Sequence, residues 1–252
     1  MYPKIKFIIN KDRDFKTLES FVEESKYGDD STIELAFFRF YPELKNYIKK
    51  VKEGKNQFYV TDFDFVKEFI NSEYEKNDFL IKTNMAEREI FWRKKENIYF
   101  ELVDELFEEK YWGVDEYIAY ATIWGVYPKF IEEKSFQIPV IRMNEDFTAN
   151  VIAHEMLHFI FYNYFLKNYS QYNMNDNSFF VWNVSEAFNE VVQGHPKWIE
   201  AFKMGVDVYG GREDIVKRLQ EKYYKSDKIN VKELIGDIIK EIDNSNSLIL
   251  KD

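Results

Sequence analysis

The sequence predicts an α+β chain: a small mixed sheet with an edge strand beside one long motif-bearing helix, surrounded by mostly helical N- and C-terminal regions. Three observations carry this. Charged and apolar residues recur at helical spacing through most of the first 112 residues and again beyond Gly211. Between Gly113 and Met143 the pattern changes to runs rich in β-branched and aromatic residues. From Asp146 the chain is apolar nearly all round a single helical stretch, which marks a buried helix.

The elements follow in order. Lys4 to Ile9 reads as a strand. Asp14 to Tyr27 reads as a helix, closed by the polar break Gly28-Asp29-Asp30-Ser31. Helical spacing resumes over about Tyr41–Glu53 and Asp64–Phe107, the latter broken into two or three helices. Glu116 to Trp124 is a strand that Gly125 ends, and Val126–Ile131 and Phe136–Met143 are further strands. Pro139 cannot donate to a ladder, which predicts an edge position for the last of these. Asp146 caps a helix running to about Leu166, and an Asn- and Ser-rich loop covers Asn168–Ser178. A second helix runs from about Phe179 to Gln193 and stops at Gly194; Pro196 suits the first turn of a third. Gly211–Tyr224 and Val231–Asp243 complete the helices. The expected division is a mainly helical N-terminal region, 1–112, and a domain at 113–252 that holds the sheet, the buried helix and the C-terminal helices.

Composition excludes several classes. The chain has 252 residues, 45% hydrophobic and 19% aromatic, enough to bury a sizeable core. A net charge of −10 argues against nucleic acid as a partner, since phosphate binding needs a basic surface. The run Arg93-Lys94-Lys95 sits among acidic residues and reads as a solvated helix face. There is no cysteine, so no disulfide, thiolate nucleophile or Cys-based metal site is available. The N-terminal apolar run is too short for a signal peptide and no segment is long enough to span a bilayer, which leaves a soluble, cytoplasmic protein without a membrane partner as the expectation. No Gly-x-Ser-x-Gly elbow and no phosphate-binding loop is present.

What remains is His154-Glu155-Met156-Leu157-His158. Residues four apart on a helix lie one turn above each other, so the two imidazoles point the same way and can share one metal ion. Glu155 is the next residue round and can reach a water on that ion without binding it. Zinc lowers the pKa of such a water toward about 7, and a carboxylate can then take its proton. The flanking residues are apolar, and two histidines and a glutamate in a core are costly unless something satisfies them together. The bland alternative is a pair of hydrogen-bonded core histidines. Three ligands and a water make a catalytic zinc site. A His-x-x-Gly-x-x-His extension is excluded, because Phe161 stands where the glycine and Tyr164 where the third histidine would be.

The second helix offers Ser185-Glu186-Ala187-Phe188-Asn189-Glu190. Together with the five-residue motif, this resembles the gluzincins, the thermolysin-like clan of zinc metallopeptidases. The resemblance covers roughly residues 115–205. It implies Glu186 as the third zinc ligand and Glu190 as the acid that hydrogen-bonds a ligand imidazole. It also implies a peptide or protein substrate, bound along an edge strand just before the active-site helix; Phe136–Met143 is the matching segment. Read without the resemblance, Asn183, Glu186, Glu190 and Gln193 form the wet stripe of an amphipathic helix. The clan places a His or Tyr to stabilise the oxyanion, and His195, at the helix junction after Gly194, is the only histidine left for that role; the bland alternative is a surface or capping histidine. The absence of a Gly-x-Met-Glu-Asn strand turns the expectation from exopeptidase to endo- or oligopeptidase. Two alternatives stand beside peptide hydrolysis. One is a non-catalytic binding or regulatory protein that keeps zinc for folding. The other is a latent enzyme covered by its own terminal helices.

Overall fold

The computed structural model describes residues 2–23, 30–51, 58–109, 111–172, 174–205, 208, 211–226 and 228–249. Its order is β1 (Lys4–Ile8), α1 (Lys11–Glu23), α2 (Asp30–Ile33), a π-helical turn (Glu34–Phe38), a 3-10 turn (Pro42–Asn46), β2 (Ile48–Lys50) and β3 (Phe58–Val60). Then come α3 (Phe63–Lys76), α4 (Asp78–Phe107), β4 (Glu116–Thr122), β5 (Lys129–Phe130), β6 (Ser135–Pro139), α5 (Glu145–Asn168), α6 (Met174–Gln193), α7 (Pro196–Phe202), α8 (Glu213–Tyr223) and α9 (Val231–Ile249). The fold class is α+β, as expected. Among the described residues, no helix is long and apolar enough to cross a membrane.

The chain forms two compact units that interleave in sequence: residues 4–91 with 116–148, and residues 1–3 with 92–115 and 149–252. The sequence suggested a single cut at 112/113. The chain crosses at 3/4, 91/92, 115/116 and 148/149 instead. The reason is strand pairing: β1 lies parallel to β4, so an N-terminal strand belongs to the same sheet as strands more than a hundred residues later.

In the sheet unit the strand order is β1-β4-β6-β5, with β5 antiparallel and the other pairs parallel. The segment around Phe136 is therefore not an edge strand; it lies between β4 and β5, and all five residues of β6 are buried. Pro139 is tolerated there for a local reason. It is the last strand residue, opposite Thr122, and the neighbouring Val140 N–H points to Thr122 O. Its own missing N–H would point to the other side, where β5 pairs only with Ser135 and Phe136. The stretch 41–51 also departs from the helical reading. Pro42 starts a 3-10 turn, and Ile48–Lys50 pairs antiparallel with Phe58–Val60; residues 52 and 53 lie outside the described residues. The break near Asn77 splits the long helical stretch as expected, and the Asp62 side chain caps α3 by accepting from Phe65 N–H.

One buried carboxylate organises this unit. Asp14 on α1 accepts from Thr122 Oγ1 (2.6 Å), Gln137 Nε2 (2.6 Å), Tyr74 Oη (2.8 Å) and the Ile123 N–H (3.0 Å). Its backbone carbonyl accepts from the Trp124 indole. The group thus joins α1 and α3 to the ends of β4 and β6. Burial pushes its pKa up to about 6, against the pull of the four donors.

Aromatic rings pack against one another through the helical unit. Trp92, Tyr99, Phe100 and Trp112 pack with Trp198 and Phe202 of α7. Phe161 of α5 meets Phe188 of α6 at 5.1 Å between ring centroids. As the apolar pattern predicted, α5 is buried almost continuously from Ala149 to Tyr162. Helix α6 starts at Met174, earlier than the Asn/Ser composition suggested, and α9 reaches Ile249.

Candidate metal centre

The centre lies wholly within the helical unit, on α5 and α6. His154 and His158 sit one turn apart on α5, and their Nε2 atoms are 3.0 Å apart. Glu186 of α6 faces both: one carboxylate oxygen is 3.3 Å from His158 Nε2 and the other 3.4 Å from His154 Nε2. Three donors around a tetrahedral ion with bonds of about 2.0–2.1 Å are separated by roughly 3.3 Å. The spacing and the N, N, O donor set both fit a divalent cation. A ligand atom of Glu155 also falls within 4.8 Å of those of both histidines. Glu186, already in ion-pair range of both rings, completes the triangle, and Glu155 stands beside it.

Burial is uneven across this group. His158 and Glu186 are shut away, with side chains 0% and 2% exposed, whereas the His154 side chain is 13% exposed. His154 is thus the most exposed of the three.

The second nitrogen of each imidazole is held by α6. His158 Nδ1 lies 2.5 Å from Ser185 Oγ, and His154 Nδ1 lies 2.7 Å from Gln193 Oε1. Between them, Asn189 Nδ2 donates to the His154 carbonyl at 3.0 Å, and Gln193 Nε2 donates to the Asn150 carbonyl at 3.4 Å. Ser185, Asn189 and Gln193 step four residues at a time along α6 and meet His158, His154 and Asn150 in the reverse order on α5. Two antiparallel helices are joined by a polar ladder running through an apolar interface. Each rung left unmade in this interior would cost about 1–3 kcal/mol.

The stripe on α6 is thus a buried face, with Ser185, Glu186, Asn189, Glu190 and Gln193 all inside, and not the wet face of an amphipathic helix. Glu190 is placed differently from the resemblance. Its two oxygens take the Arg212 guanidinium, at 2.9 Å to Nη2 and 3.2 Å to Nε, while Ser185 and Gln193 hold the imidazoles. Arg212 also donates to Asn183 Oδ1 and lies over the Trp182 ring. A carboxylate with a guanidinium fork against it is committed to that partner. The pair ties the start of α8 to α6.

His195 is not with the His154–His158 cluster. It is the N-cap of α7: Nδ1 accepts from the Lys197 N–H at 3.4 Å, and Nε2 donates to the Ser226 carbonyl at 3.2 Å. Both ring nitrogens are used for capping and packing, which removes His195 as an oxyanion donor. Gly194 just before it follows the end of α6, and a Cβ there would run into Tyr224 Oη and Gln220 Nε2.

Sequence reasoning found His154, Glu155, His158 and Glu186 and missed Ser185, Asn189, Gln193, Asn150 and Arg212. The ladder residues did leave a signal, a polar residue at every fourth position among Val184, Ala187, Phe188, Val191 and Val192. Arg212 left none. Comparison with protein-family models, curated proteins and solved structures finds no match to this chain.

Proposed function

We propose that this chain is a zinc metallopeptidase of the gluzincin type, acting on peptide or protein substrates as an endo- or oligopeptidase. The observation that carries the reading is the donor triangle: two imidazole Nε2 atoms and the Glu186 carboxylate at 3.0–3.4 Å, facing one point. His154, His158 and Glu186 would hold the ion. Zinc, when bound, supplies a Lewis acid that brings the pKa of a water toward about 7. Glu155, next to His154, supplies the carboxylate that would accept a proton from the attacking water and pass it to the leaving amine. Ser185 and Gln193 keep both rings turned toward the ion.

Metal analysis of wild type and Glu155→Gln, paired with digestion of an unbiased peptide library, tests the reading. The expected result is about one zinc per chain in both proteins and hydrolysis only in wild type. Stoichiometric zinc with no cleavage of any peptide, and a chain that unfolds on chelation, would favour the non-catalytic zinc-stabilised alternative.

A further inference from the structure

The geometry points to Gln193 as the positioning residue that locks the tautomer of His154, while His158 is left free to change its own. The functional meaning of this lock rests on the metallopeptidase reading; the lock itself belongs to the metal-free chain.

The deduction runs along hydrogen-bond directions. The Asn150 carbonyl can only accept, so the Gln193 atom facing it, 3.4 Å away, is the amide nitrogen. The other end of the amide, facing His154 Nδ1 at 2.7 Å, is then the oxygen, which also only accepts. His154 must therefore carry its proton on Nδ1, leaving the Nε2 lone pair toward the cluster. Ser185 imposes no such rule on His158. A hydroxyl can donate or accept, and the 2.5 Å contact between Ser185 Oγ and His158 Nδ1 serves either way.

The 3.0 Å separation of the two Nε2 atoms then decides the metal-free state. Two lone pairs at that distance repel, so one nitrogen carries a proton. His154 is barred, and His158 supplies it: Nε2–H donates to His154 Nε2, and the Ser185 hydroxyl donates to His158 Nδ1. With an ion held by the two rings, His158 would release its Nε2 proton to solvent and take one up on Nδ1. The Ser185 hydroxyl would turn from donor to acceptor. His154 would keep its proton where it was, and the balance would be no net proton released by the imidazoles. One ligand is thus preset for metal and the other adapts.

The chain has three histidines, which makes the test a count. Ring-labelled histidine in the full chain, observed by long-range 1H–15N NMR at about pH 8, above the ordinary imidazole range, reports the tautomer of each ring. His195, with Nε2 donating to Ser226 O, contributes one Nε2–H ring. Metal-free wild type is expected to show one Nδ1–H ring and two Nε2–H rings. With one equivalent of zinc it is expected to show two Nδ1–H rings and one Nε2–H ring. The resonances are assigned to residues, because the close Nε2 pair keeps one of its two rings in the Nδ1–H form in any case; in metal-free wild type that ring is expected to be His154 alone. In Gln193→Met, close in shape but without the acceptor, the Nδ1–H form should pass in part or wholly to His158, and zinc should bind about 10–100-fold more weakly in a chelator competition. Gln193→Glu, which keeps the acceptor, should return the Nδ1–H form to His154. A metal-free wild type whose Nδ1–H ring is His158 overturns the assignment without any variant, and so does a Gln193→Met protein that keeps it wholly on His154. Failure of wild type to take up zinc would overturn the metallopeptidase reading and leave the metal-free assignment to decide on Gln193.

Discussion

Two of the buried carboxylates, Asp14 in the sheet unit and Glu186 in the helical unit, have opposite surroundings. Asp14 sits among four donors: two hydroxyls, an amide nitrogen and a backbone N–H. Glu186 faces two imidazole nitrogens whose far sides are already engaged by Gln193 and Ser185. The protein itself supplies the hydrogens that Asp14 needs. The two Nε2 atoms beside Glu186 share one proton, fewer hydrogens than Asp14 receives, and a cation would make up the difference. Burial alone does not separate the two acids. What separates them is how many hydrogens the neighbours give.

Four experiments press on that contrast. The largest effect is expected from Glu186→Gln, which removes the charged donor of the triangle. Zinc should fall well below one per chain by metal analysis and peptidase activity should vanish, while circular dichroism keeps its helical signal. Next comes Glu155→Gln, with turnover reduced about 10²–10⁴-fold and zinc content unchanged, because it removes a proton acceptor and no ligand. Equal loss of metal in both variants would erase the distinction between ligand and base.

Third, Arg212→Met strands the Glu190 carboxylate, which is 0% exposed. Denaturant unfolding should show a loss of about 3–5 kcal/mol. Changing both residues to apolar ones of similar shape should recover much of it. A loss of under about 1 kcal/mol in the single variant would mean that Glu190 has found another partner.

The smallest effect is the pH dependence carried by Asp14. Its folded pKa, about 6, lies above the ordinary 3.8. The folded state therefore binds this proton more tightly than the unfolded state. Stability from this group is full below about pH 4, falls as the pH rises, and is lost by about pH 6, a change of about 3 kcal/mol. Asp14→Asn should flatten that window in denaturant titrations, with or without a chelator. A slope unchanged by Asp14→Asn would show that other groups set it.

The parts of the fold legible in the sequence are those written in local chemistry. Helix α5 announced itself by apolar residues on every side, α7 by Pro196, the end of α6 by Gly194 and the break before α4 by periodicity. Pairing partners are not local. Nothing near Lys4 says that it will lie beside Glu116, and Pro139 was misplaced because a missing N–H looks the same at a sheet edge and at the end of an inner strand. Ile48–Lys50 became a strand only because Phe58–Val60 was there to meet it.

The candidate site divides the same way. His154, Glu155 and His158 share one turn of helix, and Glu186 followed from chemistry and resemblance. Glu190 lay at the right spacing to orient an imidazole, but Arg212, more than twenty residues further on, claimed it. His195 had the right side chain, but the helix that starts at Pro196 used it as a cap. Spacing within an element is read easily from a sequence; competition for a side chain between elements is not.

The ladder between α5 and α6 has a practical consequence. Its members fall into two short strings, Asn-x3-His-Glu-x2-His at 150–158 and Ser-Glu-x2-Asn-x3-Gln at 185–193. Used jointly, they form a query far more selective than five residues, and one that depends on no overall likeness between chains. A genome scanned for that pair of strings, with the gap left free, would pick out proteins able to zip two helices in this register, and would do so where alignment of whole sequences has nothing to hold.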